Sequence, residues 1–296
     1  MGTGAGQRRI APSTTTGECM TNDRVQDEIR HALGVRPQID PATEVVRRVE
    51  FLVDYVLTTG VKGLVLGVSG GQDSTLAGRL CQLAVEDLRR RGAEAEFWAV
   101  RLPHHVQTDE SDAQDALSFI GADHELAINI GAATDAAADE YEKAAGSPIT
   151  DFGKGNVKAR MRMIAQFELA GEKKALVVGT DHAAEAVTGF FTKFGDGAAD
   201  VVPLAGLNKR QGRELLRHLG APEHLIVKVP TADLLDDEPG QTDESSLGLT
   251  YDQIDDFLEG KEIEPAAAST LIEKYRRSEH KRRTPVAPTD TWWIRH

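Results

Sequence analysis

Two segments of the sequence combine glycines, hydroxyls and carboxylates in patterns that could bind a phosphorylated ligand. The first is the glycine loop, residues 67–75, which reads GVSGGQDST. Its paired glycines let the backbone turn sharply and approach a ligand closely. Ser69 and Ser74 add hydroxyl donors, and a helix that begins here would aim its free N–H groups back at the loop. The pattern therefore predicts a phosphate site.

Asp73 indicates which kind of phosphate chemistry the glycine loop could support. The common P-loop ends in a lysine followed by a hydroxyl residue, whereas this loop carries a carboxylate near its end. A carboxylate would repel phosphate unless a cation such as Mg²⁺ lay between them. A glycine turn that Asp73 merely caps is the structural alternative. The order of serine, two glycines, aspartate and serine between a strand and a helix favours the phosphate site.

The second segment, residues 179–197, reads GTDHAAEAVTGFFTKFGDG and follows another predicted strand. Glu185 could complete a metal site with Asp73. Three phenylalanines within five residues could stack on a planar ring, and Lys193 could contact a carboxylate or a phosphate. An amphipathic helix with a solvated Glu185 and phenylalanines in the core is the alternative. The glycines at the end of a strand favour a ligand site.

Strand and helix patterns alternate around both segments. Apolar runs predict strands at residues 64–68, 95–102, 125–130 and 175–179, and residues 225–229 are a candidate fifth strand. Helical patterns separate them, and one helix is expected to start near Asp40, which precedes a proline. This alternation predicts the α/β class, with a doubly wound parallel sheet and helices on both faces. Ligands of such sheets bind at the carboxyl ends of the strands.

Composition excludes several classes of function. The formal net charge of −13 argues against a nucleic-acid partner, because a duplex binder needs a dominant basic surface. No apolar run is long enough for a membrane span, and the N-terminal residues lack a secretory signal pattern. The two cysteines, Cys19 and Cys81, stand in no metal-ligand spacing. A cytoplasmic protein without a membrane partner is therefore expected.

A single domain is predicted for most of the 296 residues. Residues 1–22 are expected to form a disordered tail and residues 23–296 the domain. Residues 233–246 hold six carboxylates and little apolar material, so they are interpreted as a solvated segment or as a mobile lid over the nucleotide. The basic stretch 275–283 is either a solvated tail or a binding element.

Two adjacent histidines, His104 and His105, lie in the loop after the second predicted strand. A zinc site would need further cysteine, histidine or carboxylate ligands at a suitable spacing. No cysteine or carboxylate is recognised at ligand spacing, so both histidines are interpreted as loop residues near the nucleotide and not as zinc ligands.

The glycine loop resembles that of the N-type ATP pyrophosphatases, an adenine nucleotide alpha-hydrolase-like superfamily. In these enzymes a substrate oxygen attacks the α-phosphate of ATP, and the loop holds the departing pyrophosphate. Five further motifs resemble ammonia-dependent NAD synthetase, and together they run in order over roughly residues 25–296. They lie at residues 151–162, 176–197, 207–213, 230–237 and 279–282.

The resemblance implies a role for each matching residue. The implied ATP-binding set is Gly67, Val68, Ser69, Gly70, Gly71, Gln72, Asp73, Ser74, Thr180, Lys209 and Thr231. The implied deamido-NAD set is Arg160, Lys193, Asp200, His280 and Lys281. Asp73 and Glu185 match the Mg²⁺ ligands. The family forms a homodimer with the substrate bound at the subunit interface, and the same arrangement is expected here.

The reaction implied by the resemblance is the amidation of deamido-NAD by ammonia. The nicotinate carboxylate would attack the α-phosphate of ATP, and ammonia would then convert the adenylate to NAD and AMP. Asp73 and Lys209 are candidate catalytic residues that stabilise the departing pyrophosphate. Asp196, between two glycines, is a candidate for guiding or deprotonating ammonia, although an aspartate there could instead bind the backbone of its own turn.

Two rival functions stay open at this point. One is another amidating ATP pyrophosphatase, such as a GMP synthetase. The other is a non-catalytic nucleotide sensor on the same fold. A sensor has no need for paired metal carboxylates, so the presence of both Asp73 and Glu185 favours an enzyme.

Overall fold

The computed structural model describes residues 22–105, 110–230, 236, 241–283 and 285–294. Its strands are β1 (Gly63–Gly67), β2 (Glu96–Arg101), β3 (His124–Ala127) and β4 (Leu176–Val177). Its helices are α1 (Asn22–Ala32), α2 (Pro41–Thr59), α3 (Gln72–Arg90), α4 (Glu110–Ile120), α5 (Gly131–Ala145), α6 (Asp151–Lys173), α7 (Ala183–Thr188), α8 (Lys209–His218), α9 (Glu223–Val227), α10 (Asp243–Leu247), α11 (Tyr251–Leu258), α12 (Pro265–Arg277) and α13 (Glu279–Arg282). Across these ranges, no helix has the length and apolar character needed to cross a membrane.

The four strands are parallel and form one sheet in the order β3-β2-β1-β4. The chain moves outward from β1 to β3 and then returns to place β4 on the other side of β1. The carboxyl ends of β1 and β4 therefore flank the point where the strand order reverses, which is where ligands bind in such sheets. The glycine loop follows β1, and the second segment follows β4. The predicted doubly wound α/β fold is confirmed.

Helices cover both faces of the sheet because β1 is apolar on both sides. Leu64 and Leu66 belong to the main core, which they share with residues of α2, α3 and α8. Val65 points to the other face and packs in a second layer with Ala165 and Ala170 of α6. Successive side chains of a strand alternate between faces, so this strand reads as a continuous apolar run. Burial on both faces fixes the position of the glycine loop at the end of β1.

A separate apolar cluster supports the helices beyond the carboxyl end of β4. It is formed by residues of α1, α7, α11 and α12, and Val187, Ile254 and Leu271 are fully buried within it. Because α7 carries Glu185 and α11 contacts α8, which begins at Lys209, the cluster holds two candidate site residues in place.

The prediction of a helix start near Asp40 is confirmed, since its side chain accepts the Thr43 N–H at 2.9 Å and Pro41 is the first residue of α2. The prediction of a fifth strand at residues 225–229 is wrong, because these residues overlap α9. An apolar run this short cannot distinguish a strand from a buried helical turn. A single parallel bridge between Val178 and Val201 extends the sheet beyond β4 instead.

Several sequence predictions concern residues that the structure does not describe. The predicted tail covers residues 1–22, of which residues 1–21 lie outside the described part of the chain. Asn22 is the first residue of α1. Thr231 and half of the predicted lid, residues 233–235 and 237–240, also lie outside the described residues. Asp236, within the predicted lid, is described, and its carboxylate pairs with Lys154 at 3.0 Å and Lys158 at 2.5 Å.

Candidate active site

The glycine loop ends in a helix start that is open to an anion. Gly71 is the N-cap residue of α3, and its helix end carries no side-chain cap. The Ser69 hydroxyl accepts the Gly71 N–H at 3.3 Å and lies 3.1 Å from the Ser74 hydroxyl. Gly70 has a φ of 79°, and a Cβ there would come within 2.8 Å of the Ala113 nitrogen. Only glycine fits this turn, and the first N–H groups of α3 are left for a phosphate.

The glycine loop contains no lysine. In the folded chain, Lys209, the first residue of α8, places its ammonium group beside the loop. Its Nζ lies 2.5 Å from Oδ2 of Asp73, and its side chain is only 3% exposed. Burial alone would raise the pKa of Asp73, but the charge of Lys209 and the contact with His182 lower it below its ordinary value. Burial opposes the charge of Lys209, yet Asp73 and Glu185 raise the pKa of Lys209. Asp73 and Lys209 are therefore both ionised at neutral pH.

The start of α8 is fixed by contacts that hold the Lys209 backbone. Asn208 and Gln211 form a reciprocal capping box at the helix start. The buried Asp255 of α11 accepts the Lys209 N–H at 3.1 Å and that of the next residue at 2.8 Å. Gln72, at the beginning of α3, donates to the Lys209 carbonyl at 3.0 Å. The ammonium group is thus aimed at the glycine loop by two helices. The Asn-x-x-Gln spacing signals the cap in the sequence, whereas nothing local identifies Asp255.

His182 belongs to the site although sequence reasoning did not select it. It is the N-cap residue of α7, and its Nδ1 accepts the Glu185 N–H at 3.4 Å. Its Nε2 lies 3.6 Å from Asp73 Oδ1 and 3.6 Å from Glu185 Oε1. The acceptor role of Nδ1 places the ring proton on Nε2, so the imidazole presents an N–H between the two carboxylates. Its position three residues before Glu185 is the available sequence signal.

The carboxylates of Asp73 and Glu185 fit a hard divalent cation. With His182 they form a group whose ligand atoms all lie within 4.8 Å of one another. Burial and the neighbouring charge of Asp73 raise the pKa of Glu185 well above its ordinary value. A divalent cation would be attracted by two carboxylates that face one ammonium group, and carboxylate oxygens suit Mg²⁺. His182 Nε2 makes no hydrogen bond to either carboxylate at 3.6 Å, and with its proton on this atom the ring would orient the carboxylates rather than bind the ion.

Four of the five residues implied for deamido-NAD come together around the loop that follows α7. Lys193 donates from Nζ to the His280 carbonyl at 2.5 Å, and Arg160 donates to the Lys193 carbonyl at 3.4 Å. Lys281 donates to the Phe191 carbonyl at 2.7 Å. These contacts join α6, the loop after α7 and α13 into one basic wall. The wall adjoins α7, which carries Glu185.

The basic stretch 275–283 is docked on the protein, so its interpretation as a solvated tail is wrong. Arg282 donates to the Ala186 carbonyl at 2.9 Å, and its guanidinium carbon lies 3.8 Å from the centre of the Tyr275 ring. Gly189 has a φ of 67°, and a Cβ there would lie 2.2 Å from Cβ of Ser278. The absence of a side chain at Gly189 lets the C-terminal helices pack this closely.

Asp196 makes the turn contact that the sequence left open as the structural alternative. Its Oδ1 accepts the Thr192 N–H at 2.8 Å, which is a turn contact. The side chain is solvent-exposed, although many protein atoms surround it, as expected for a carboxylate that lines a cleft. Partial removal of water by these atoms raises the pKa of the carboxyl. Burial and the charge of Asp196 also raise the pKa of Asp181 to about 7. Asp181 is thus a second acidic group of this region, and sequence reasoning missed it.

The remaining predicted residues line the end of β4 and the aromatic loop. Thr180 follows the strand and is half-buried, and Asp200 Oδ2 accepts the Val177 N–H at 2.8 Å, so this carboxylate is tied to the strand. Among the phenylalanines, Phe190 packs on the apolar cluster around α7, as the structural alternative expected. Phe194 is 54% exposed and has a φ of 61°, so it is the ring most open to a ligand.

Known proteins are similar to this chain over most of its length. A family model described as NAD synthase matches residues 44–285. The NH(3)-dependent NAD(+) synthetase of Leifsonia xyli subsp. xyli is 61% identical over 269 residues, which cover 91% of this chain and 96% of that protein. The NAD+ synthetase from Burkholderia pseudomallei has a TM-score of 0.78 and 48% identity, over 88% of this chain and 97% of its own. The NMN synthetase from Francisella tularensis has a TM-score of 0.74 and 34% identity, over 86% of this chain and 100% of its own. The resemblance seen in the motifs is confirmed, and the chain belongs to the NAD synthase family.

Proposed function

We propose that the chain catalyses the ATP-dependent amidation of deamido-NAD by ammonia, giving NAD, AMP and pyrophosphate. The observation that carries this proposal is the buried pair of Asp73 and Lys209, which faces the uncapped start of α3 beside Glu185. Such a site suits a leaving pyrophosphate. The names of the relatives at about 60% identity support NAD as the product and ammonia as the nitrogen donor.

The first step is the formation of an acyl-adenylate. A nicotinate carboxylate oxygen attacks the α-phosphorus of ATP, and the bond from this phosphorus to the β-phosphate bridging oxygen breaks. The N–H groups of α3, the hydroxyls of Ser69 and Ser74, and Lys209 hold the pyrophosphate as it leaves. Mg²⁺ held by Asp73 and Glu185 would neutralise phosphate charge when bound. Because the groups are fixed before the reaction, positioning and electrostatics supply the catalysis.

The second step is the attack of ammonia on the adenylated carbonyl carbon. The carbon–nitrogen bond forms, the bond to the AMP oxygen breaks, and AMP leaves with one oxygen of the original carboxylate. Ammonium must lose a proton before it attacks. The Asp196 carboxyl and the neighbouring Asp181, whose pKa Asp196 raises, attract ammonium and accept this proton.

The substitution Asp196→Asn should separate the two steps. Asparagine keeps a side-chain oxygen for the Thr192 N–H, so the turn is retained. Adenylation, measured as exchange of labelled pyrophosphate into ATP in the presence of deamido-NAD, should change little. Amidation at limiting ammonium should fall by on the order of 10²-fold. An equal loss of exchange and amidation would assign Asp196 to substrate binding or folding.

His182 should act as a positioning residue for the two carboxylates, and a pair of variants tests this role. His182→Asn keeps the N-cap acceptor but cannot reach Asp73, whereas His182→Gln keeps a donor near the position of Nε2. The Mg²⁺ concentration for half-maximal activity should rise by roughly 10- to 100-fold for the asparagine variant, and less for the glutamine variant. If both variants lost melting temperature and activity in parallel, with no change in the Mg²⁺ requirement, the role would be structural only.

The proposed function is tested with the pure chain, ATP, MgCl₂ and ammonium chloride. Deamido-NAD should give NAD, and nicotinate mononucleotide serves as the competing substrate because of the similarity to an NMN synthetase. The kcat/KM for deamido-NAD should be higher by at least about 100-fold. Glutamine should not replace ammonium, because burial raises the pKa of the Cys81 thiol and leaves it unsuitable as a nucleophile. No NAD formation under these conditions would refute the proposal and leave the sensor alternative.

The proposed homodimer would use the outer face of α6. Phe152, Ile164 and Phe167 are 75%, 42% and 36% exposed, and helical spacing places them on the same side as the exposed Arg160. A second copy covering this face would lie beside the deamido-NAD residues. Sedimentation of the wild-type chain should therefore give a dimer, and Ile164→Glu should shift it to a monomer. A wild-type monomer at micromolar concentration would contradict this arrangement.

A further inference from the structure

A cluster of two histidines and one aspartate lies outside the proposed mechanism. His104 and His105 follow β2, and Asp135 is in the first turns of α5. His105 Nε2 lies 2.8 Å from Asp135 Oδ2, and His104 Nε2 lies 3.8 Å from Asp135 Oδ1. All three ligand atoms lie within 4.8 Å of one another. The fold thus brings to the histidines a carboxylate, Asp135, that their sequence spacing did not indicate.

The histidine pair is held in a conformation that an ordinary loop would avoid. His105 has a φ of 58°, in the left-handed region. The Asn129 side chain accepts the His105 N–H at 3.3 Å and donates to its carbonyl at 2.9 Å. A Cβ at position 131 would lie 2.6 Å from His105 Nδ1, so Gly131 makes room for the ring. These contacts bring the two imidazoles edge to face, with centroids 4.4 Å apart. The surroundings impose this arrangement, which is typical of a functional site.

The contact between His105 and Asp135 does not account for His104. The His104 side chain is 12% exposed, and its Nε2 is buried with no hydrogen-bond partner in the described part of the chain. A buried polar atom without a partner is unfavourable, so a ligand at this atom would stabilise the site. The neutral form of an imidazole has a lone pair that it can offer to a cation at this atom.

We propose that His104, His105 and Asp135 bind a borderline divalent cation such as Zn²⁺, at a site separate from that of Mg²⁺. Two imidazole nitrogens and one carboxylate oxygen suit zinc, cobalt or nickel, whereas Mg²⁺ prefers oxygen ligands. Three protein ligands leave a fourth tetrahedral position open, and the His105 side chain is 53% exposed, so water can reach it. Tetrahedral ligands of zinc are about 3.3 Å apart, which requires only small rotations of the rings.

Two lysines lie near the cluster and would compete with a metal for Asp135. Lys154 is 3.8 Å from Asp135 Oδ1 but 3.0 Å from Asp236, so its stronger pairing is with Asp236. Lys158 also pairs with Asp236, at 2.5 Å. Asp236 therefore pairs more closely with both ammonium groups, and Lys154 keeps only a 3.8 Å contact with Asp135.

The test is Zn²⁺ uptake by the full chain after all metal has been removed. Excess Mg²⁺ fills the carboxylates of Asp73 and Glu185, and a chromophoric chelator then reports how much Zn²⁺ the protein takes up. The expected result is one Zn²⁺ per chain. Co²⁺ added in place of Zn²⁺ should give the intense visible absorption of a tetrahedral complex, and zinc should raise the melting temperature as its concentration rises.

Matched variants assign the bound ion to this cluster. His105→Asn removes one ligand but tolerates the left-handed backbone, and Asp135→Asn removes the carboxylate charge at constant shape. Each should weaken Zn²⁺ binding by at least about tenfold, whereas Glu185→Gln should not change it. The metal-free melting temperature of each variant reports whether the fold is retained. No uptake in excess Mg²⁺, or uptake that His105→Asn and Asp135→Asn leave intact, would overturn the proposal.

Discussion

Replacing Asp73 by asparagine, or Glu185 by glutamine, should lower kcat/KM for NAD formation by on the order of 10³-fold, because each change removes a charged ligand from the proposed divalent-cation site. Both substitutions keep the size of the side chain, so the fold should be retained. In Asp73→Asn the loss should be greater, since Lys209 also loses the partner that lies 2.5 Å away. Initial rates over a range of Mg²⁺ concentrations measure the effect.

The matched control for these variants is Glu94→Gln. It makes the same change of charge, but the Glu94 side chain is 90% exposed and remote from the glycine loop in the sequence. Its rates should equal those of the wild-type chain. Near-wild-type turnover of Asp73→Asn or Glu185→Gln at low Mg²⁺ would show that these carboxylates do not hold the ion.

Replacing Lys209 by methionine should reduce both activity and stability. Methionine preserves the aliphatic stem of the side chain but leaves Asp73 without its closest cation. The side chains of Lys209 and Asp73 are only 3% and 21% exposed. Breaking a buried ion pair in this way should cost about 3 kcal/mol in the free energy of unfolding. Loss of the cation at the leaving pyrophosphate should lower kcat by on the order of 10²- to 10³-fold. Urea unfolding and steady-state rates measure the two effects.

The double variant Asp73→Asn with Lys209→Met separates the two contributions. With both charges removed, no uncompensated ion is buried, so most of the lost stability should return. Activity should stay low, because neither the metal ligand nor the cation has been restored. Simple addition of the two single-variant stability losses would show that Asp73 and Lys209 do not interact as the structure describes.

Local patterns were sufficient to identify the parts of the site that lie within one motif. In the glycine loop, consecutive residues that include Asp73 indicate the turn, the hydroxyl groups and the start of the helix. Lys209 opens a helix with a capping signal beside it, and Glu185 follows a strand end. In each case the chemical role depends on neighbours in the sequence, and the parallel sheet then brings the strand ends together.

Contacts between distant elements could not be predicted in this way. Asp255, in α11, accepts a backbone N–H at the start of α8, and no local sequence pattern indicates this contact. Asp181 gains its raised pKa from burial and from the charge of Asp196, which depend on the folded loop. Asp135 reaches His105 only after α5 packs beside the loop that follows β2. The misassigned residues 225–229 show the same limit, since both a strand and a helical turn would bury their apolar side chains.

The most direct test of the account follows the oxygen atoms of the substrate. Deamido-NAD labelled with ¹⁸O in its nicotinate carboxylate is converted with ATP and ammonium, and the products are analysed by mass spectrometry. If the carboxylate attacks the α-phosphorus while the glycine loop, Lys209 and the paired carboxylates hold the pyrophosphate, each AMP should carry one ¹⁸O and the pyrophosphate none. Recovery of the label in inorganic phosphate, with ADP as the nucleotide product, would contradict the central claim.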